Sequence, residues 1–130
     1  MPSRENALHQ DPKTTLAPQS IGGAVTGTGV DLAGCEAATI IVETGAASTV
    51  ATIKVQESDD NSTFTDVADA DLIGLTGNPS GFATTASSIR KVAYVGGKRY
   101  VRVSTTAGSA ALLSACVVRT RLRHVGGVAV

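Results

Sequence analysis

Tryptophan is absent from this chain, and its aromatic side chains are Phe64, Phe82, Tyr94 and Tyr100 alone. A core with so few is thin, because each aromatic buries about 150–250 Å². A sugar site built on aromatic platforms has equally little to use. Histidine and cysteine are as sparse: His9, His124, Cys35 and Cys116 stand singly along the chain. A structural zinc site takes about four such ligands at close spacing. Neither histidine has a serine or cysteine at a motif spacing, so no nucleophile–base pair can be assembled. No catalytic residue, metal or cofactor is expected, and the chain reads as non-enzymatic.

Long apolar runs are missing too. Ala110 to Val118 is the longest, and serine and cysteine interrupt it. It falls far short of the about 20 residues that span a bilayer. The first twenty residues lack the apolar stretch of about 7–15 residues of a secretory signal. Synthesis in the cytoplasm is expected, with no membrane partner. There both cysteines are expected to stay reduced, with a Cys35–Cys116 disulfide as the alternative. Cys116 reads as a small core residue and Cys35 as a loop residue. Net charge is zero, so the chain as a whole has no drive toward nucleic acid. Gly22-Gly23 and Gly27-Thr28-Gly29 lack the lysine and the strand–loop–helix setting of a phosphate loop. Ser58 to Ser62 carries carboxylates of the kind that bind calcium, but not at EF-hand spacing, and Asp and Asn are ordinary turn formers.

What is present is small and β-branched. Over half of the 130 residues are Ala, Thr, Val, Gly or Ser, in a chain of one domain's length. Residues 1–22 hold Pro2, Pro12 and Pro18, and Leu8 and Leu16 are the large apolar residues before Ile21. They read as an N-terminal arm, either frayed or docked on a partner. From residue 23 to 130 the pattern is β. Ala24–Leu32 is a weak strand broken by Gly27 and Gly29. Ala37–Thr44 is a firm strand. Thr49–Ser58 alternates Ala51, Ile53 and Val55 with Thr52, Lys54 and Gln56. A polar turn then returns the chain through Thr63–Val67, which makes a hairpin. Residues 68–88 are irregular, with a short strand near Phe82. Ile89–Val95 and Lys98–Thr105 flank Gly96-Gly97, which predicts a tight hairpin with positive φ at the glycines. Ala107–Ser109 is a turn, and Ala111–Leu122 is the last strand. About eight short strands with glycine-rich turns predict an all-β antiparallel sandwich of jelly-roll type. Its core is thin, and association with copies of itself or with a larger surface would offset the deficit.

Charge is unevenly laid out. Between residues 31 and 71, Asp31, Glu36, Glu43, Glu57, Asp59, Asp60, Asp66, Asp69 and Asp71 face one base, Lys54, a net −8. Arg90, Lys91, Lys98, Arg99, Arg102, Arg119, Arg121 and Arg123 follow without an acid, a net +8. Two readings stand. Either the halves pair across adjacent strands of one sandwich, or an acidic edge of one subunit meets a basic edge of the next and closes a ring. On the second reading Arg99, Arg102, Arg119, Arg121, Arg123, Asp59, Asp60 and Asp66, with Leu8 and Leu16 of the arm, are the candidate subunit or capsid contacts. Arg119, Arg121 and Arg123 alternate onto one face of the last strand, and the expectation is that a neighbouring subunit answers them.

VQESDDNSTFTDV at 55–67 and KRYVRVSTTAG at 98–108 together resemble a group of small structural proteins of tailed bacteriophages. The resemblance spans about residues 37–123 of the sequence. Related strings occur in discoidin-like and carbohydrate-binding jelly rolls, but Phe64 stands where many relatives carry tryptophan. The resemblance implies a virion protein on the outer capsid surface, a head decoration or cement protein that braces the major capsid protein as a homotrimer. A tail or fibre component and a carbohydrate-binding module are the alternatives.

Overall fold

Runs in which small branched residues alternate with polar ones favour extended backbone with one face buried. The computed structural model describes residues 4–46, 51–107 and 111–122. One helical turn, α1 (Arg4–Leu8), precedes the strands. In chain order these are β1 (Gln10–Ile21), β2 (Val25–Thr26), β3 (Val30–Asp31), β4 (Cys35–Thr44), β5 (Thr52–Ser58), β6 (Thr65–Asp66), β7 (Leu72–Ile73), β8 (Phe82–Ala83), β9 (Ser88–Tyr94), β10 (Tyr100–Ala107) and β11 (Ala111–Leu122). They form two antiparallel sheets. The first runs β1–β11–β4–β9–β7, and the second runs β2–β10–β5–β6, with β3 also on β10 and β8 also on β5. The chain crosses between the sheets at every connection except β2 to β3 and β5 to β6. This crossing is the jelly-roll habit.

The core lies between the sheets. Ile40, Val42, Val92, Leu113 and Val117 on one side meet Ile53, Val55, Val101 and Val103 on the other, all buried. Each such side chain contributes about 1.5–3 kcal/mol by leaving water. Phe82 and Tyr94 are the buried aromatics.

Three expectations meet a different structure. The segment expected as an arm is, over Gln10–Ile21, the edge strand of the first sheet, paired with β11 from Gln10↔Thr120 to Ile21↔Ala111. Leu16 and Ile21 are buried. Edge position is what accommodates Pro12 and Pro18, and register shifts at Thr14/Leu16 and Leu16/Gln19 turn both Thr15 and Leu16 inward. The Thr15 hydroxyl donates to the Thr28 carbonyl (2.8 Å) and accepts the Val103 N–H (3.1 Å), which ties the two sheets.

The Gly96-Gly97 segment is not a hairpin turn. β9 and β10 lie in different sheets, and neither glycine has positive φ. The chain wraps the Tyr94 side chain, whose hydroxyl donates to Glu57 (2.6 Å) and accepts the Lys98 N–H (3.1 Å). A Cβ at Gly96 would lie 2.5–2.6 Å from the Tyr94 ring and hydroxyl, so close approach is what requires glycine there.

The cysteines exchange roles. Cys35 is buried at the start of β4, and Cys116 is half-buried on the outer side of β11; the two are not joined in a disulfide. The β5–β6 hairpin, the break at Gly27–Gly29 and the strand at Phe82 are as expected. The Ala107–Ser109 turn falls largely outside the described residues.

Candidate interaction surfaces

The two segments that carry the phage resemblance come together in the second sheet. β10 pairs with β5 from Tyr100↔Ser58 through Arg102↔Gln56 to Ala107↔Thr52. On the outer face their polar side chains close a network. Lys54 donates to Asp66 (2.8 Å), and so does Gln56 (3.0 Å). Gln56 Oε1 accepts from Arg102 (3.0 Å) and Ser104 (3.1 Å). The Arg102 guanidinium lies 3.8 Å from the centroid of the Phe64 ring. Burial opposes ionisation of Asp66, but Lys54 and Gln56 outweigh it and hold its carboxyl below the usual range.

The turn after β5 is built by Asp60. Its Oδ1 accepts the N–H groups of Ser62 and Thr63 at 2.9 Å and the Ser58 hydroxyl at 2.8 Å. The Thr63 N–H bond, first, lowers its pKa. Asn61 supplies the left-handed backbone, with φ 58°. Asp60 Oδ1 is therefore spent on the turn. Asp59 pairs with Lys98 (2.6 Å). Among the described residues no three His, Cys, Asp or Glu side chains converge on one point.

At the end of the sandwich, near the β9–β10 crossing, the charges of the two halves meet. Arg99 forks onto both oxygens of Asp31 (2.9 and 2.8 Å), and this bond first of all lowers the Asp31 pKa. A groove of about 300 Å³ opens beside these pairs, lined by Leu32, Cys35, Ala37, Tyr94, Lys98 and Arg99. The Cys35 thiol donates to the Leu32 carbonyl (3.1 Å). Burial, then Glu57, pushes the Tyr94 hydroxyl up, so it remains a neutral donor.

Arg119 follows Leu113, Ala115 and Val117 on the core side of β11. Its guanidinium donates to the Asp11 carboxylate and to the Asp31 carbonyl (3.1 Å), while its Nε has no hydrogen-bond partner among the described residues. The Arg119 hydrogen bond, first of all, holds the Asp11 carboxyl below the usual carboxylate range. This pairing is within one chain and ties β1 to β11, where a neighbour had been expected to supply the acid.

The candidate contacts thus divide. Asp59, Asp66, Arg99 and Arg119 are ion-paired within the chain, Asp60 caps a turn and Arg102 stacks on Phe64. Leu16 is 2% exposed and fills the core, so it is withdrawn as a contact residue. Leu8, in α1, is 42% exposed. Arg121 is exposed at a left-handed backbone position, φ 52°, and takes part in no ion pair among the described residues. Arg123 and the side chain of Leu122 lie outside the described residues. Sequence reasoning missed Asp11 and Asn78, whose partners are distant in the chain.

No family model matches the sequence, and no curated protein matches it. Among solved structures, the crystal structure of PBSX exported protein XepA is similar in fold, with TM-score 0.57 over 85% of this chain at 16% identity. This chain spans 37% of that chain's length.

Proposed function

We propose that this chain is a non-enzymatic structural protein of a tailed-phage particle, and that it decorates the outer capsid lattice and stabilises the head. The observation that carries the reading is the joining of 55–67 and 98–108 into one paired sheet, whose motif side chains bind one another instead of framing a ligand. That is the behaviour of a rigid building block. The fold likeness to part of a phage-related exported protein supports the same setting.

A sugar-binding module is less well supported. Phe82 and Tyr94 are buried, while Phe64 and Tyr100 are half-buried, with Arg102 and Arg99 against their rings. None of the four is an open platform. On the decoration reading Leu8 and Arg121 face the capsid, since both stand outside the internal network.

The test is co-sedimentation of the purified chain with capsids lacking it. Saturable binding to heads that raises their heat resistance is expected. Binding to tails alone would move the protein to the tail or fibre, and binding to neither would overturn the reading.

A further inference from the structure

Sandwich sheets packed on one side usually turn polar residues to water. The first sheet does so only in part, with seven of the twelve residues in its three central outer rows apolar. Strand pairing lines up Pro12, Val118, Thr39, Ala93 and Ile73 in one row across its outer face. The next row is Thr14, Cys116, Ile41 and Lys91, and the next is Ser114, Glu43 and Ile89. Ile73, Ile89, Val95 and Leu112, on or beside this sheet, are 51–67% exposed, and the remaining exposed large apolar residue among those described is Leu8. An apolar face of this kind marks an association surface.

Within these three rows Glu43 and Lys91 carry the charge. They are exposed, on neighbouring rungs of β4 and β9. Neither enters an ion pair among the described residues. One acid and one base side by side are self-complementary. At the end of the sandwich, by contrast, Asp31 is engaged by Arg99 and Asp59 by Lys98 within the chain.

We propose that this face is where a second copy of the chain docks, across a two-fold axis that runs between Glu43 and Lys91. Such an axis sets the Glu43 of each copy against the Lys91 of the other, so one symmetric contact forms two ion pairs around an apolar centre. The five strands, at about 4.8 Å spacing and about seven residues of about 3.4 Å each, present a face of roughly 24 by 24 Å. Two such faces remove roughly 1,200 Å² from water, the size at which specific interfaces begin. The association needs no capsid, so it stands or falls apart from the proposed function.

The experiment is sedimentation velocity on the full chain at rising concentration, with reductant present because Cys116 lies on the face. Wild type should reach twice its 13.1 kDa mass. Glu43→Lys and Lys91→Glu each set like charges together and should each weaken the dimer about ten-fold or more. An equimolar mixture of the two single variants should dimerise again, as should the double variant. Both positions are exposed, so thermal unfolding of the variants should match the wild type when measured at dissociating concentration. A wild type that stays monomeric or forms a trimer overturns the proposal. So do single variants that associate like the wild type, or a mixture that stays monomeric.

Discussion

Replacing Asn78 should cost this domain a large share of its stability. Asn78 is fully buried in the tight turn Asn78–Ser80, and its amide acts as a short strand beside β5. Oδ1 accepts the Val55 N–H (2.8 Å), and Nδ2 donates to the carbonyls of Val55 (3.0 Å) and Val67 (2.7 Å). The Val55 carbonyl also receives the Val67 N–H at 3.0 Å. Asn78→Ala therefore orphans two groups, the Val55 N–H and the Val67 carbonyl. Both residues are fully buried, so water does not replace the amide. At about 1–3 kcal/mol per orphaned group, the loss is about 2–6 kcal/mol, against the roughly 5–15 kcal/mol that holds a domain folded. Asn78→Asp should lose more, because a carboxylate would face both carbonyls without a donor. Urea unfolding followed by far-ultraviolet circular dichroism reads the effect. The midpoint should fall with the slope unchanged. A loss within about 0.5 kcal/mol, the range of an ordinary surface substitution, would refute the role given to the amide.

Gly96→Ala puts a methyl group against the Tyr94 ring and should destabilise by about 1–3 kcal/mol, whereas Gly97→Ala, with open space around its Cβ, should change little; thermal unfolding separates them. Asp11 and Asp31 are held below the ordinary carboxylate pKa of about 3.9, by Arg119 and Arg99 respectively. Their contribution is full above that value and is lost as pH falls through the lower folded-state value. Asp11→Asn should lower stability at neutral pH and flatten the acid limb, and it should speed hydrogen exchange over β1; an unaltered acid limb would contradict the Asp11–Arg119 tie. Arg121→Glu should leave unfolding within about 0.5 kcal/mol of wild type yet reduce capsid binding in the pelleting assay. Removing residues 1–9 should spare β1 and the fold; a loss of capsid binding on that deletion would place the Leu8 contact.

Where the sequence speaks through local pattern, the fold was readable from it. The alternation around Ile53 and Val55, the polar turn that Asp60 caps, and the long final strand all show a period of two or a turn chemistry that needs no distant partner. β1 escaped because its shifts between Thr14 and Gln19 break that period, and because prolines tolerated at a sheet edge read as linker. The role of Gly96-Gly97 escaped for another reason. Two glycines between strands signal a turn, but which sheet the next strand joins is decided by the Tyr94 ring folded over Gly96 and held by Glu57 from β5. The arginines of β11 misled by their regular spacing. Alternating charge suggests an exposed stripe, yet Arg119 continues the inward row of Leu113, Ala115 and Val117 and meets an acid 108 residues away. Long-range pairing of that kind leaves no local mark, and the apolar outer face of the first sheet became visible only once strand register set its rows side by side.

Electron cryomicroscopy of a particle carrying this protein bears on the whole account at once. Density for the two-sheet sandwich is expected on the outer capsid lattice, bridging neighbouring capsid subunits, with Arg121 and α1 toward the shell. Particles whose heads lack that density, with the protein found in the tail or absent altogether, would contradict it.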